Sequence, residues 1–435
     1  MKKFYVYCII IMFGLLGLTH AQLPYIFTQT ARNTDSGDAH SVAMGVDGTV
    51  FLANYEDGLR AYGYDGSSFI NTAHVYDGGD SSRAMGMAVG VDGTVFLANN
   101  QDGLRAYSYD GSYFTNTAHI NDGGYARDVA VGSDGTVFLA NGMDGLLAYS
   151  YDGMSFTNTA HIDFTGEAGG FANGVAVGSD GTVFLANGWP GLLAFSYDGS
   201  SFTDTAGIGI SGFYGSACGV TVASDGTVFL ADGQGGLQAY SYDGSSFTNT
   251  AHARDVWPFG VAVGSDGTVF TAGRGGLCAN SYDGASFTTT AHINDPGIDS
   301  LGIASGVTVG PDGTIFLANG VDGLIAYTYS PSVGTHDDLS FIPDEYILQQ
   351  NYPNPFNPST TISYDLPEQS SVNLTVYNIR GEEIMTLQNT DKSPGNYEVP
   401  WNGLDRAGNQ VSTGMYFCRL QAGEYNQTIK MVYLR

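Results

Sequence analysis

The chain has 435 residues, with 43 Asp and Glu against 15 Lys and Arg, and a formal net charge of −28 at pH 7. Between Gln22 and Glu345 its basic side chains other than histidine are Arg32, Arg60, Arg83, Arg105, Arg127, Arg254 and Arg274. Nucleic acid is therefore set aside as a partner, because phosphate binding depends on basic side chains that displace counterions. Cations, neutral sugars and peptides stay open as ligands.

The chain opens with "MKKFYVYCIIIMFGLLGLTHAQ". Lys2 and Lys3, the apolar run from Tyr7 to Leu18, and Thr19 and Ala21 before a cut predict a secretory signal peptide over residues 1–21. That apolar core is short for a membrane span, and Cys8 lies inside it rather than after a cleavage site, so neither a transmembrane segment nor a lipoprotein is expected. The remaining Cys218, Cys278 and Cys418 are odd in number and lack C-x-x-C spacing, which argues for buried structural thiols rather than a disulfide or zinc framework.

From residue 22 to 333 one phrase recurs, "VGSDGTVFLANG" at residues 131–142 in its third copy. Its first aspartates are Asp47, Asp92, Asp134, Asp180, Asp225, Asp266 and Asp312, spaced by 41 to 46 residues. A period in the forties built of four short β-rich segments predicts a propeller blade, and seven copies predict a seven-bladed β-propeller. The third copy shows the four segments as "ARDVAVG", "GTVFLAN", "GLLAYSY" and "SFTNTAHI", with Gly or Asp-Gly between them. The seventh copy lacks its "SFTNTAH" segment, and "YIFTQTAR" at residues 25–32 is a spare version of it. Residues 25–32 are thus expected to close the last blade and to cover an edge that would otherwise be open.

Chain direction divides the loops between two faces. The turns "GSDGT" and "SYDGSS" fall on a bottom face and are nearly invariant, whereas the "ANGxDG" turns and the blade-to-blade connections fall on a top face and diverge. Repeated Asp-Gly is the favoured dipeptide of tight hairpins, and its spacing fits neither an EF-hand nor a calcium-binding nonapeptide. No cofactor is expected, with weak calcium binding among so many carboxylates left open. His74, His119, His161, His252 and His292 end the outermost segments, roughly 20 Å from the axis. That separation is too wide for one shared metal, and they are read as strand-end structure.

The first residues of the innermost segments crowd the channel instead: His40, Met85, Arg127, Asn173, Cys218, Phe259 and Ser305, with Asp128 beside Arg127. Here the repeat breaks in charge, size and polarity together. The top connections add the aromatics Tyr125, Phe164, Phe171, Trp189, Phe213, Tyr214 and Trp257, suited to stacking on sugars or anchoring a protein. The candidate ligand-binding residues are His40, Arg127, Asp128, Asn173, Trp189, Tyr214 and Trp257.

A linker over 334–345 leads to residues 346–435, where "TTISYDL", "SVNLTVYNI", "GNYEVPW", "GMYFCRL" and "NQTIKMVYL" alternate in a way that predicts a small β-sandwich. The fold class is therefore all-β, a seven-bladed propeller followed by a small immunoglobulin-like sandwich. This tail resembles the C-terminal sorting domain of type IX secretion substrates, through Pro353, Asn354, Pro355 and Phe356, then Gly381 in "VYNIRGEEI", Gly414 and Tyr416 in "STGMYFCRL", and Lys430 in "KMVYLR". The resemblance implies export through the periplasm and across an outer membrane by the type IX machinery, to the medium or the cell surface, and carries over no catalytic residue. The propeller phrase "FLANGxDGLxAYSYDG" is similar to the LVIVD repeats of cell-surface propellers, departing from them after "AY".

Two functions follow as expectations. One is a monomeric, secreted or surface-displayed propeller that binds carbohydrate or protein through its top-face loops without catalysis. The other is a propeller enzyme (lactonase, lyase or glycosidase) with its site at the channel mouth around His40, Arg127, Asp128 and Asn173. The first is preferred because the mouth holds no carboxylate pair at glycosidase spacing, no Ser-His-Asp order and no convincing metal trio.

Overall fold

The computed structural model describes residues 25–76, 82–164, 170–209, 215–254, 257–293, 304–331, 346–393, 395–423 and 425–434. The expected signal peptide, the linker over 334–345, and Phe213 and Tyr214 lie outside them.

Each repeat folds into a four-stranded antiparallel sheet, and the described residues form seven of these, two of them joined through a bridge between Gly188 and Ala217. The third blade runs Asp128–Val131, Val137–Ala140, Leu146–Tyr151 and Phe156–Ile162, each strand paired with the next. Its second strand, Val-Phe-Leu-Ala, is buried along its whole length because both faces meet neighbouring blades. That sandwiching explains an uninterrupted apolar run where a one-sided sheet would alternate.

The bottom hairpin is set by its own residues. Gly135 takes φ +85°, which suits glycine, while Asp134 accepts the Thr136 amide at 3.0 Å and its hydroxyl at 2.9 Å. The same pair of bonds recurs at Asp47, Asp92, Asp180, Asp266 and Asp312. The invariant carboxylates are thus used within their own turns.

The second Asp-Gly turn carries the tyrosine that joins blades. Thr159 of the third blade's outermost strand lies 2.5 Å from the Tyr197 hydroxyl of the fourth, and Thr72–Tyr109, Thr117–Tyr151, Thr205–Tyr242, Thr250–Tyr282 and Thr290–Tyr329 repeat the contact at 2.5–2.6 Å. Each such tyrosine also meets a phenylalanine of the preceding blade edge-on, as Tyr197 meets Phe138 at 5.4 Å between ring centroids.

The seventh contact closes the ring. Tyr25–Asn33 pairs antiparallel with Leu324–Pro331, bulges between Gln29 and Ala31, and brings Thr30 to 2.5 Å from Tyr64 of blade one. The strand nearest the N-terminal end of the described chain is therefore the outermost strand of the blade built last.

Residues 346–434 form a sandwich of two sheets. One is ordered Ile347–Leu348, Thr360–Leu366, Gly395–Trp401, and the other Glu383–Lys392, Ser370–Asn378, Gly414–Ala422, Tyr425–Tyr433. Leu348, Ile362, Val372, Leu374, Trp401 and Cys418 fill the space between them. The Tyr416 hydroxyl donates to the Ser412 carbonyl at 2.7 Å, a local tie of the kind that pins a strand entry in such sandwiches. Pro-Asn-Pro-Phe is stapled to the last strand: Asn354 accepts the Val432 amide at 2.8 Å and donates to the Lys430 carbonyl at 3.1 Å, and Phe356 lies buried against Trp401 and Tyr433. Gly381 sits in a turn at φ +77°, and the Lys430 side chain is exposed.

Candidate ligand site at the channel mouth

Backbone bridges between the top turn of one blade and the innermost strand of the next build the upper rim. Ala84 donates to Tyr55 at 2.9 Å, Ala126 to Asn100 at 2.9 Å, Ala172 to Gly142 at 2.9 Å and Ala39 to Gly320 at 2.8 Å. The residue after each of these alanines is a mouth residue: Met85, Arg127, Asn173 and His40. One position further on stand Gly86, Gly174, Gly219, Gly260 and Gly306, where the strands converge so closely that a Cβ is excluded. A methyl at Gly86 would lie 2.6 Å from the Arg127 carbonyl, and one at Gly219 2.6 Å from that of Phe259.

Blade one departs from this rule with Ser41, and blade three with Asp128. Its carboxylate accepts the Val175 amide at 3.0 Å in blade four and lies over Gly86 of blade two, in the space left by the missing Cβ. Burial pushes this carboxyl up to about 6, against the opposing Val175 and Val129 amides. Asn173 donates to the Ala217 carbonyl at 2.9 Å, tying blade four to blade five. Cys218 points at the Ser216 carbonyl 3.0 Å away, and burial pushes its thiol up to about 11, the setting of an unreactive cysteine. These three mouth residues hold the wall together.

The others gather above it. In the top turns the bridging residue is left-handed, with φ between 49° and 63° at Gly142, Gly188, Gly233 and Gly320. Blade two places Asn100 there at φ 55°, and blade one places Tyr55 at φ 50°. Asparagine tolerates this region, whereas tyrosine pays about 1–2 kcal/mol. The Tyr55 ring stacks on His40 at 4.9 Å between centroids, and the Arg83 guanidinium sits 5.0 Å above it. The Arg127 guanidinium lies 5.0 Å over Phe171, which in turn stacks with Tyr125 at 6.4 Å.

Burial lowers the Arg127 pKa, and the positive charge of Arg83 lowers it further against the opposing Tyr55 and Tyr125. Burial also lowers His40, Asp38 opposes that and Arg127 adds to it, so the imidazole is held toward its neutral form. The one carboxylate at ion-pair range of Arg83 among the described residues is Glu56 at 3.9 Å, with both groups exposed, a pair of little energetic consequence.

Of the loop aromatics, Phe164 is buried in the apolar layer between blades three and four. Trp189 is 66% exposed at the tip of blade four's top turn, and Trp257 is 39% exposed with the Arg274 guanidinium 5.0 Å above its ring. The sequence reading passed over Tyr55 and Arg83. A visible signal for Tyr55 existed: it stands where four sibling repeats carry glycine.

The five outer histidines each approach the carbonyl 17 residues earlier, His74 to Asp57, His119 to Asp102 and His161 to Asp144 at 2.6 Å, His252 to Gly235 at 2.5 Å and His292 to Gly275 at 3.0 Å. They fasten the outermost strand to the top turn. Among the described residues no three His, Cys, Asp or Glu side chains converge as a cation site. At the opposite end of the channel a cavity of about 670 Å³ is lined by the bottom turns, including Met44, Val46, Val222, Val263 and Pro311.

The chain is thus an all-β propeller followed by an immunoglobulin-like sandwich. Residues 356–426 match the family model of the FlgD Ig-like domain. Among curated proteins, none matches the chain. A catalytically inactive virginiamycin B lyase from Staphylococcus aureus, solved with quinupristin, is similar over 70% of this chain and 99% of its own at 13% identity and a TM-score of 0.55. The WD40 β-propeller domain of Doa1 is similar over 71% and 98% at 12% identity and a TM-score of 0.54. The extracellular domain of a B. thetaiotaomicron hybrid two-component system is similar over 94% of this chain and 57% of its own, at 11% identity and a TM-score of 0.54. At these identities the likeness is one of fold, and no helix of the described residues is long and apolar enough to cross a membrane.

Proposed function

We propose that this protein is a secreted or surface-displayed, non-catalytic binding propeller that recognises carbohydrate or protein through its top face. The observation that carries this reading is the contrast between the two faces. Six bottom turns repeat one bonded arrangement of Asp and Thr, whereas the top presents Tyr55, Arg83, Arg127, Trp189 and Trp257, each at a place where the other repeats differ. A rigid ring with divergent loops on one face suits recognition. The enzyme reading loses support because Asp128 and Asn173, its polar candidates beside His40 and Arg127, are engaged with Val175 and Ala217.

The test is glycan-array and pull-down binding of the secreted chain, with Trp189→Ala/Trp257→Ala as the control. Loss of the bound ligand in the double variant is expected, and undiminished binding would reject the aromatic loops as the site.

Export by the type IX route is part of the proposal, supported by the Pro353, Asn354, Pro355 and Phe356 phrase and the sandwich it is stapled to. Deleting residues 346–435 in a host with that machinery should retain the propeller in the periplasm. Its normal appearance in the medium would remove the sorting role.

A further inference from the structure

We propose that the cluster of Tyr55, Arg83, Arg127 and Phe171 receives a single carboxylate carried on an otherwise neutral sugar, an inference that rests on the top-face reading above.

The distribution of positive charge is the first ground. In a chain of net charge −28, Arg32 is paired with Asp322, Arg60 with Asp57 and Asp35, and Arg105 with Asp102. Arg254, whose Nε is also buried without a partner among the described residues, donates to the Gln350 carbonyl and lies near the charges of Glu398 and Asp365, and Arg274 lies over Trp257. Arg83 and Arg127 instead converge on one rim. Arg127 has no ion pair among the described residues, and its Nε is buried without a hydrogen-bond partner. Holding a partly buried cation beside a second one, with no counter-charge among the described residues, is costly unless a ligand supplies that charge.

The orientation of the guanidinium is the second ground. Arg127 is packed against the Phe171 face 5.0 Å away and its guanidinium makes no hydrogen bond to the described residues; Nε is buried, which leaves the pair of terminal nitrogens as the edge that can meet a ligand. A planar carboxylate matches that edge in a way a single-point acceptor does not.

The left-handed Tyr55 is the third. Four sibling blades avoid the strain with glycine, and backbone strain of this kind persists where a ligand site requires the side chain. Here the side chain supports both His40 and Arg83.

The same net charge limits the ligand to one acid. A polyanion approaching the rim meets the repulsion of the whole acidic ring, whereas a neutral chain capped by one carboxylate meets it once. The exposed indoles of Trp189 and Trp257 stand apart from the arginine cluster on the same face and offer flat apolar platforms to further rings of a longer glycan, and a sugar is therefore taken as the carrier, with a peptide as the competing outcome of the test.

Titration calorimetry of the full secreted chain at low salt, with a glucuronate-capped disaccharide, its methyl ester, cellobiose, heparin and a short peptide with a free C-terminus, tests the proposal. The acid disaccharide should bind at least about tenfold more tightly than its ester or cellobiose, and added salt should weaken it. Arg127→Gln and, separately, the exposed Arg83→Gln should each cost about tenfold, with the Arg83→Gln melting temperature unchanged as the control for folding. Equal binding of acid and ester, or acid binding undiminished in both arginine variants, overturns the carboxylate assignment. If ester and cellobiose still depend on Trp189 and Trp257 in that case, the top-face reading stands without it. Tighter binding of heparin, or arginine-dependent binding of the peptide alone, overturns the assignment to a singly charged sugar. Binding that survives both the arginine and the tryptophan changes sinks the site and the top-face reading together.

Discussion

Replacing Asp232 by asparagine should stabilise the propeller, and only above mildly acidic pH. At this position of the top turn, blades one to four and seven carry Asn54, Asn99, Asn141, Asn187 and Asn319, while blade five carries an acid. Asn141 donates its amide to the Gly123 carbonyl at 2.8 Å and to Asp144 at 2.9 Å. Asp232 is 1% exposed, accepts from Gln238 at 2.7 Å through Oδ2, and leaves Oδ1 without a partner. Burial pushes its carboxyl from the ordinary 3.8 up to about 7, with the Gln238 bond and the nearby Ser216 amide opposing. In the unfolded chain the group loses its proton near 3.8, whereas in the fold it keeps it to about 7. The folded state therefore binds more protons across that window, and stability falls as pH rises through it. At 1.36 kcal/mol per decade the loss approaches roughly 4 kcal/mol at pH 8 and vanishes below pH 4. Asparagine carries no such loss. Urea melts of both proteins at pH 4, 6 and 8 should show a stability difference that opens with pH, and the self-repulsion of the acidic chain largely cancels in the comparison. A difference that is independent of pH, or a variant less stable at pH 8, would refute the argument that burial of this carboxyl is uncompensated.

Deleting Tyr25–Asn33 leaves Leu324–Pro331 as an open edge and removes Thr30 from Tyr64, so the ring should melt at lower temperature and scatter light as it does so; unchanged melting would contradict edge closure. Phe356→Ala should cost the sandwich about 3–5 kcal/mol, because a fully buried ring between Trp401 and Tyr433 is lost. In scanning calorimetry the sandwich transition should shift while the propeller transition stays in place, and a shift of both would show that Phe356 supports more than its own domain.

The fold was largely legible because the residues that build it act locally and recur. "DGT" codes a turn through the φ of Gly135 and the Asp134 carboxylate, and "VFLA" codes a strand covered on both faces. The pairing of Tyr25–Asn33 with blade seven follows from the same logic, since Phe27 and Thr30 stand where other repeats place the Phe and Thr of their outermost strands. The site was legible in part. His40 and Arg127 meet in one cluster, but Asp128 and Asn173 turn into the wall, and Trp189 and Trp257 stand apart from it. Alignment of repeats locates a residue on the rim without saying which way its side chain leaves the strand. Tyr55 was missed because its cue is a backbone requirement for positive φ, which a list of loop aromatics does not register.

Two kinds of departure from the repeat can therefore be told apart by what surrounds them. Asp128 departs from glycine, but the glycine that blade two already carries at this position, Gly86, leaves room for its carboxylate, and the Val175 amide answers it. Every part of that change is met by another part of the ring, which is how a scaffold absorbs a substitution. Tyr55 departs from glycine at a cost in backbone strain, and what it supports is a pair of arginines with no carboxylate to neutralise Arg127 among the described residues. A ring that balances Arg60 and Arg105 through aspartates three residues earlier in the top turns, and Arg32 through Asp322 in the turn beside its strand, has the means to balance Arg127 as well. Among the described residues Arg127 lacks that balance, and the proposed carboxylate is what would supply it.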